Sequence, residues 1–477
     1  MAKVLLIQPS EDTTSSDKKS STHPPLGLIY VGTAIEDKHQ VKIFDRNINS
    51  NDDSLINSVK EFSPDIIGFS SLSSPMLIDL IHLGKLVKKI SPKSIVVVGG
   101  PHASLEPQCF LDEPYVDYVL RGEGEEAFLE FCDTFDKSPK KLKKLKNVNL
   151  NPLRHYLDMS QLKLPNYNLV DISKYTDFYV VLSRGCPHQC TFCSWSKVQR
   201  FNGRPFFRIY NESQITEFLR RVIEDYHRKF FFIMDDNILA FREQSLKMLK
   251  FLQKYKVHFD LAGGRASDLT DDICRELKKA GCYSVHIGIE SGSQRILDLI
   301  HKGTTVKQNY DAIQTCKRHG IISDASIMIA LPTETSKDLQ ETRDFIKKAK
   351  PDIPNVKIYN PQPAILFDYC IDKGQIEKPK TLQEWANWLG EMRWTKHNVS
   401  EISNQELEKA IRELWSYGFY RLKIKKFFFW LKAGKFRYLL RGLKRVFIVR
   451  YHLKIPFLGM LDLRKKSSVK SALLKFK

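Results

Sequence analysis

Phe178-Tyr-Val-Val-Leu182-Ser-Arg-Gly-Cys186-Pro-His-Gln-Cys190-Thr-Phe-Cys193 is an apolar run that leads straight into three cysteines. The run reads as a buried strand. The cysteines follow at the spacing CxxxCxxC. Three thiolates on one short loop can reach three irons of a cubane [4Fe–4S] cluster. With no fourth thiolate nearby, one iron stays open for an exchangeable ligand, whereas electron-transfer clusters close every iron with four cysteines. Zinc is the rival reading, with His188 as a fourth ligand, although zinc sites usually come as two separated ligand pairs. The other six cysteines, Cys109, Cys132, Cys274, Cys282, Cys316 and Cys370, are scattered and read as small buried hydrophobes. An odd total of nine, without a secretion signal, argues for a reducing, cytoplasmic setting.

Downstream of the loop, strand and helix patterns alternate. Strands are expected at 230–235, 259–263, 284–290, 324–331 and 355–359. Helices are expected at 212–227, 244–255, 293–300, 306–319 and 336–348, and one running from an N-cap at Thr270 to a stop at Gly281. Six βα units in succession suggest a full or partial barrel, with its site at the carboxyl ends of the strands. The cysteine loop, Asp235, Arg265 and Glu290 would all lie at that end.

Upstream, a second alternating series occupies residues 3–135. Strands are expected at 3–7, 41–45, 66–70, 95–100 and 118–121, with helices between them, as in a doubly wound parallel sheet. Ligands of such sheets bind over the carboxyl ends of the strands. Those ends carry Gln8-Pro9, Ser70-Ser71, Gly99-Gly100-Pro101-His102 and Gly122-Glu123-Gly124. Small residues there let a bulky ligand approach the backbone. No GxGxxG follows the first strand, which argues against a dinucleotide.

These motifs together resemble the cobalamin-dependent radical S-adenosylmethionine (SAM) family over roughly residues 1–400. The cysteine loop opening a βα barrel, Phe192 beside the last cysteine, and His286-Ile-Gly-Ile-Glu290-Ser-Gly match its radical SAM half. Pro24-Pro-Leu-Gly27, Ile66-Ile-Gly-Phe-Ser70-Ser71, Val98-Gly-Gly-Pro-His102 and Arg121-Gly-Glu-Gly-Glu125 match its cobalamin-binding half. The resemblance implies an α/β chain in four parts. A Rossmann-like cobalamin-binding domain spans 1–136 and a linker 137–174. A radical SAM partial (β/α)6 TIM-like barrel spans 175–400, and a small basic helical region 401–477.

The resemblance also implies an enzyme that cleaves SAM reductively at a [4Fe–4S] cluster held by Cys186, Cys190 and Cys193. The 5′-deoxyadenosyl radical so formed takes a hydrogen from substrate, and methylcobalamin delivers a methyl group to an unactivated carbon. SAM would contact Phe192, Asp235, Asp236, Arg265, Gly288, Glu290 and Ser291. Cobalamin would contact Gln8, Ser70, Ser71, Gly99, Gly100, Pro101, His102, Gly122, Glu123 and Gly124. A reductant protein such as flavodoxin or ferredoxin is implied as a partner. A ring-forming oxidative cyclase of the same family is the alternative reaction, and a corrinoid sensor with a vestigial cluster the alternative class. Two departures stand out. The first domain lacks Asp-x-His-x-x-Gly, which predicts cobalamin bound without a protein histidine. The family's Gly-x-Pro-Gly-Glu-Thr appears as Ala330-Leu-Pro-Thr-Glu-Thr335.

The formal charge is +20 over 477 residues, and it is unevenly placed. From Arg421 to Lys477 there are 18 Lys or Arg against one acid, Asp462. The preceding residues are nearly neutral. The basic stretch interleaves apolar runs such as Phe427-Phe-Phe-Trp-Leu431 with bases, which suits an amphipathic helix at an anionic membrane surface. A helical cap on the barrel and nucleic-acid binding are the other readings. No cysteine precedes Cys109, which counts against tRNA methylthiotransferases. No apolar run approaches the length of a membrane span.

Overall fold

The computed structural model describes residues 1–10, 22–72, 74–138, 142, 149–150, 156–195, 197, 207–388, 396–414 and 417. Most of the Lys137–Lys146 stretch and the whole basic region 421–477 lie outside the described residues.

The first sheet contains β1 (Lys3–Gln8), β2 (Gln40–Asp45), β3 (Ile66–Ser70), β4 (Ile95–Gly99), β5 (Tyr118–Val119) and β6 (Asn149–Leu150). Their order is β2-β1-β3-β4-β5-β6, and every pairing is parallel. Helices cover both faces, so its central strands are continuous apolar runs. Successive residues of β1 therefore feed two cores: Leu5 and Ile7 one, Val4 and Leu6 the other. The strand order reverses between β1 and β3, and a crevice opens at such a switch point. The short β6 lengthens this sheet from inside the expected linker. Residues 156–174 pack against the barrel, with Tyr167 fully buried and its hydroxyl donating to the Tyr179 carbonyl at 2.6 Å.

The second module follows with β7 (Tyr179–Val180), an antiparallel ribbon of β8 (Ser183–Arg184) and β9 (Arg208–Ile209), then β10 (Phe230–Ile233), β11 (His258–Arg265), β12 (Cys282–Glu290), β13 (Ile322–Ile329) and β14 (Ile353–Ile358). Six of these form a parallel sheet in the order β14-β13-β12-β11-β10-β7. No hydrogen bonds join β7 to β14 among the described residues, so the barrel is open. Strand β13 shows the two environments: Ala325, Ile327 and Ile329 are buried under helices, while Ser326 and Met328 are half-buried on the lumen side.

Local chemistry sets the helix ends. Asn211–Gln214, Thr305–Gln308 and Thr335–Asp338 form reciprocal capping boxes. Thr270 holds the N-cap position, but its hydroxyl donates to Asp272 at 2.7 Å instead of accepting from the backbone. Gly281 has φ +97°, and a Cβ there would stand 2.1 Å from the Val257 carbonyl. The helix expected over 212–227 stops at Arg220, where Arg221–Asp225 makes a π turn.

The two modules share one core. Leu77 and Leu80 of the helix Ser74–Ile90 cluster with Leu331, Phe367 and Trp385. No helix among the described residues is long and apolar enough to cross a membrane.

Candidate functional site

A cleft of about 550 Å³ separates the two modules. Ser70, Gly99, Gly100, Pro101, His102, Gly122, Glu123 and Gly124 line one side, and Ser183, Arg184, Gly185, Met234 and Asp236 the other. Trp195, Trp385 and Trp388 add aromatic wall.

On the first side the chain ends are tightly tied. Ser71 is fully buried; its hydroxyl donates to the Gly99 carbonyl at 2.8 Å and accepts from Ala103 N–H at 3.0 Å. It braces the turn and does not line the cleft. Gln8 is also outside the cleft lining, with its amide 3.8 Å from the Met76 sulfur. Gly100 takes φ +100°, and a Cβ there would meet the Ser71 backbone at 2.7 Å. By contrast a Cβ built on Gly27 would meet no other part of the described residues within 4 Å, so the backbone there is open to a large ligand. His102 is 6% exposed, between Phe110 and Trp385, with Nε2 3.8 Å from Cys109 Sγ. Burial lowers its pKa to about 4. The glycine-lined side of this cleft, open at Gly27, leaves backbone that a bulky macrocycle could approach closely.

The cysteine loop leaves the barrel differently from the expected straight run. Asp235 is 2% exposed, and its carboxylate accepts from Leu182 N–H at 3.0 Å and from the Ser183 backbone and hydroxyl. It thereby ends β7 and turns the chain into the ribbon. Burial raises its pKa to about 7, against the pull of these donors. The reading of Asp235 as a SAM contact gives way to that of a bracket for the loop. Its neighbour Asp236 accepts from Gly185 N–H at 3.1 Å and lines the cleft. Thr191 anchors the far end of the loop, donating from its backbone to Ile300 O at 3.0 Å and accepting from Leu366 N–H at 2.8 Å. Phe192 packs against the shared core.

Burial raises the pKa of Cys186, and that of Cys193 to about 11. Backbone N–H groups of His188 and Trp195 aim at the two sulfurs, and the Arg265 charge favours the Cys186 thiolate. Hydrogen bonds to sulfur are one of the levers by which proteins tune iron–sulfur clusters. The donor set, three cysteines at CxxxCxxC spacing on one loop, suits such a cluster better than zinc, whose sites usually join two separated ligand pairs. The other six cysteines are all buried.

At the end of β12, Glu290 takes φ +62° and is 7% exposed. Its carboxylate pairs with Lys302 Nζ at 2.7 Å, a partner the sequence pattern did not suggest. Arg265 donates to the Lys302 carbonyl. Gly288 leaves the space this ion pair fills. Ser291 is fully buried; its hydroxyl accepts from Ser293 N–H at 3.1 Å and lies 3.2 Å from the Thr342 hydroxyl of the helix Ser336–Ala349, and it does not line the cleft. Sequence reasoning also missed Arg184 and Arg208. Their guanidiniums meet Glu123 at 3.1 and 2.8 Å across the cleft, and Arg184 also bonds Glu125. Burial alone would raise the Glu123 pKa, but these two arginines hold it below the usual carboxylate range.

Comparison with known proteins assigns a domain to each of the two modules. The B12 binding domain model matches residues 17–131, and the Radical SAM superfamily model residues 180–346. The chain is 29% identical over 452 residues to an uncharacterized methyltransferase of Pyrococcus horikoshii, covering 88% of this chain and 93% of that one. It is 24% identical to the anaerobic magnesium-protoporphyrin IX monomethyl ester cyclase of Rubrivivax gelatinosus, covering 78% of this chain and 71% of that one. The solved radical SAM methyltransferase TsrM from Kitasatospora setae shares the fold, with a TM-score of 0.66 at 12% identity over 87% of this chain and 91% of that one. With both domains in this order on one chain, the protein belongs to the cobalamin-dependent radical SAM family of enzymes, whose cofactors are a [4Fe–4S] cluster, SAM and cobalamin.

Proposed function

We propose that this enzyme transfers a methyl group to an unactivated carbon of a small-molecule substrate. The observation that carries the reading is one cleft lined by the glycine-rich strand ends of one module and by Gly185, Ser194 and Trp195 of the other, the residues that flank the three cysteines. When bound, the cofactors supply a radical that opens a C–H bond and a methyl group that replaces the hydrogen. The chain's own residues do the rest. Cys186, Cys190 and Cys193 hold the cluster. Asp236 and the Gly185 backbone fix the loop, and Arg265 and the Lys302–Glu290 pair shape the barrel mouth toward SAM. Trp195, Trp385 and Trp388 exclude water from the gap.

Similarity to both a methyltransferase and a cyclase keeps ring formation as the second reading. Anaerobic turnover with methyl-labelled SAM decides between them. Label in the product supports transfer, and an unlabelled, dehydrogenated or cyclised product supports ring closure. Cys186→Ala should lose both iron and SAM cleavage. A flavodoxin or ferredoxin is the proposed electron source, tested by replacing chemical reductant in that assay. Docking of the basic region 421–477 on anionic membranes is proposed from its charge alone. Flotation with phosphatidylserine-containing liposomes, lost on deleting those residues, is the expected result.

A further inference from the structure

We propose that Arg184 is a positioning residue: with Arg208, Glu123 and Glu125 it latches the cluster-bearing loop to the cobalamin-binding module. The proposal rests on the family's cofactor set and adds what holds the two cofactor sites in register.

Arg184 stands two residues before Cys186. It lies opposite Arg208 in the β8–β9 ribbon. Like charges directly opposite each other destabilise an antiparallel pair. Here Glu123 sits between them, with Arg184 Nη1 at 3.1 Å and Arg208 Nη2 at 2.8 Å from the same oxygen. Its second oxygen accepts from Arg208 Nη1 at 2.9 Å and from Leu157 N–H at 2.7 Å. Arg184 Nη2 takes Glu125, in the first turn of the helix Gly124–Lys137. Two positive and two negative groups make a neutral cluster. All four side chains are at most 17% exposed, so salt screens them weakly. The Arg184 guanidinium also lies 4.8 Å from the Tyr30 ring of the first module.

The ribbon thus repels itself unless the first module supplies its two carboxylates. The glycine turn that faces cobalamin and the strand that delivers Cys186 become one unit. Fork geometry matters here, because a bidentate arginine fixes orientation as well as distance.

The test compares Arg184→Met, Glu125→Gln and the charge exchange Arg184→Glu with Glu125→Arg in the full chain. Hydroxocobalamin affinity is read by absorbance titration, cluster content by iron assay, and fold by circular dichroism. Reduced enzymes are also assayed for 5′-deoxyadenosine and for S-adenosylhomocysteine, the product left when SAM gives up its methyl group. Both single variants should keep iron and 5′-deoxyadenosine formation, lose at least tenfold in hydroxocobalamin affinity, and lose S-adenosylhomocysteine formation. The exchange should recover at least half of the affinity. Unchanged affinity in both single variants overturns the proposal. So does an exchange variant that folds but recovers nothing, since each residue would then act on the ligand alone. Parallel loss of fold, iron and affinity in both single variants assigns the network to folding and also overturns it. Wild-type protein that binds no hydroxocobalamin defeats the family reading instead.

Discussion

Lys302 Nζ lies 2.7 Å from Glu290 Oε1, and the pair fills the space that a side chain at residue 288 would need. Both side chains are buried, at 8% and 9% exposure. A Cβ on Gly288 would approach Glu290 Oε1 to 2.6 Å and Lys302 Nζ to 2.7 Å. Removing one partner of a buried pair leaves a charge with no compensation, at a cost of about 3–5 kcal/mol. Lys302→Met should therefore lose that much in urea unfolding. Gly288→Ala should also destabilise, by forcing the pair apart. A loss below about 1 kcal/mol in Lys302→Met would show the carboxylate to be hydrated instead.

The same pair shows where sequence reading stops. Both sheets were legible, because period-two and continuous apolar runs are local properties of Val4–Ile7 or Val96–Val98. The glycine turns and the cysteine loop were legible as well, since their chemistry is written in adjacent residues. Partnerships across the fold were not. Glu290 and Arg265 were legible only as two strand ends at the barrel mouth, and only the path of the loop after β12 brings Lys302 between them. Asp235 looked like a ligand contact because it sits at a strand end. Its two oxygens go to Leu182 and Ser183, 52–53 residues earlier in the chain. Ser71 and Ser291 likewise carry hydroxyls at the right ends of strands, yet Ser71 bonds the Gly99 carbonyl and Ser291 accepts from Ser293 N–H in its own turn.

The turn Ala330-Leu-Pro-Thr-Glu-Thr335 keeps a glycine-like backbone without glycine. Ala330 has φ +67° and Thr333 has φ +59°. The left-handed region costs a non-glycine residue roughly 1–2 kcal/mol, and a β-branched one most. Arg295 offsets this by donating to the Thr333 carbonyl at 2.6 Å and its hydroxyl at 3.3 Å. Thr333→Gly keeps the carbonyl bond and removes the strain, at the expense of a more flexible unfolded chain. The expected outcome is a gain of about 0.5–1 kcal/mol, seen as a higher urea midpoint at unchanged slope. A lower midpoint would mean that the Arg295–hydroxyl bond outweighs the strain.

His102 is the histidine nearest the cobalamin side, and its ring is packed edge-on to Trp385 at 5.2 Å. An imidazole so packed is expected not to ligate cobalt. His102→Leu should keep hydroxocobalamin affinity within about threefold, well under the tenfold that 1.4 kcal/mol represents. The paramagnetic resonance spectrum of bound cob(II)alamin should be the same in wild type and variant, with no splitting from a protein nitrogen. A nitrogen splitting present in wild type and lost in the variant would make His102 the lower ligand.

Glu334 couples stability to pH. It is fully buried; one oxygen accepts from Leu331 N–H at 2.9 Å, and Oε1 has no hydrogen-bond partner among the described residues. Burial raises its pKa to about 8, helped by the negative charge of Asp338. The folded protein therefore binds a proton that the unfolded chain releases above its ordinary pKa, about 4.3. Between those two values the native state holds more protons than the unfolded one, so stability falls as pH rises. The contribution is whole below about pH 4 and gone above about pH 8. Glu334→Gln mimics the neutral acid and does not titrate. Its advantage over wild type should be small at pH 5 and grow steadily to pH 8.5 in urea unfolding. An advantage that stays flat across this range would place the Glu334 carboxylate in its charged form throughout. The raised pKa would then be wrong, and a donor to Oε1 would have to exist in solution.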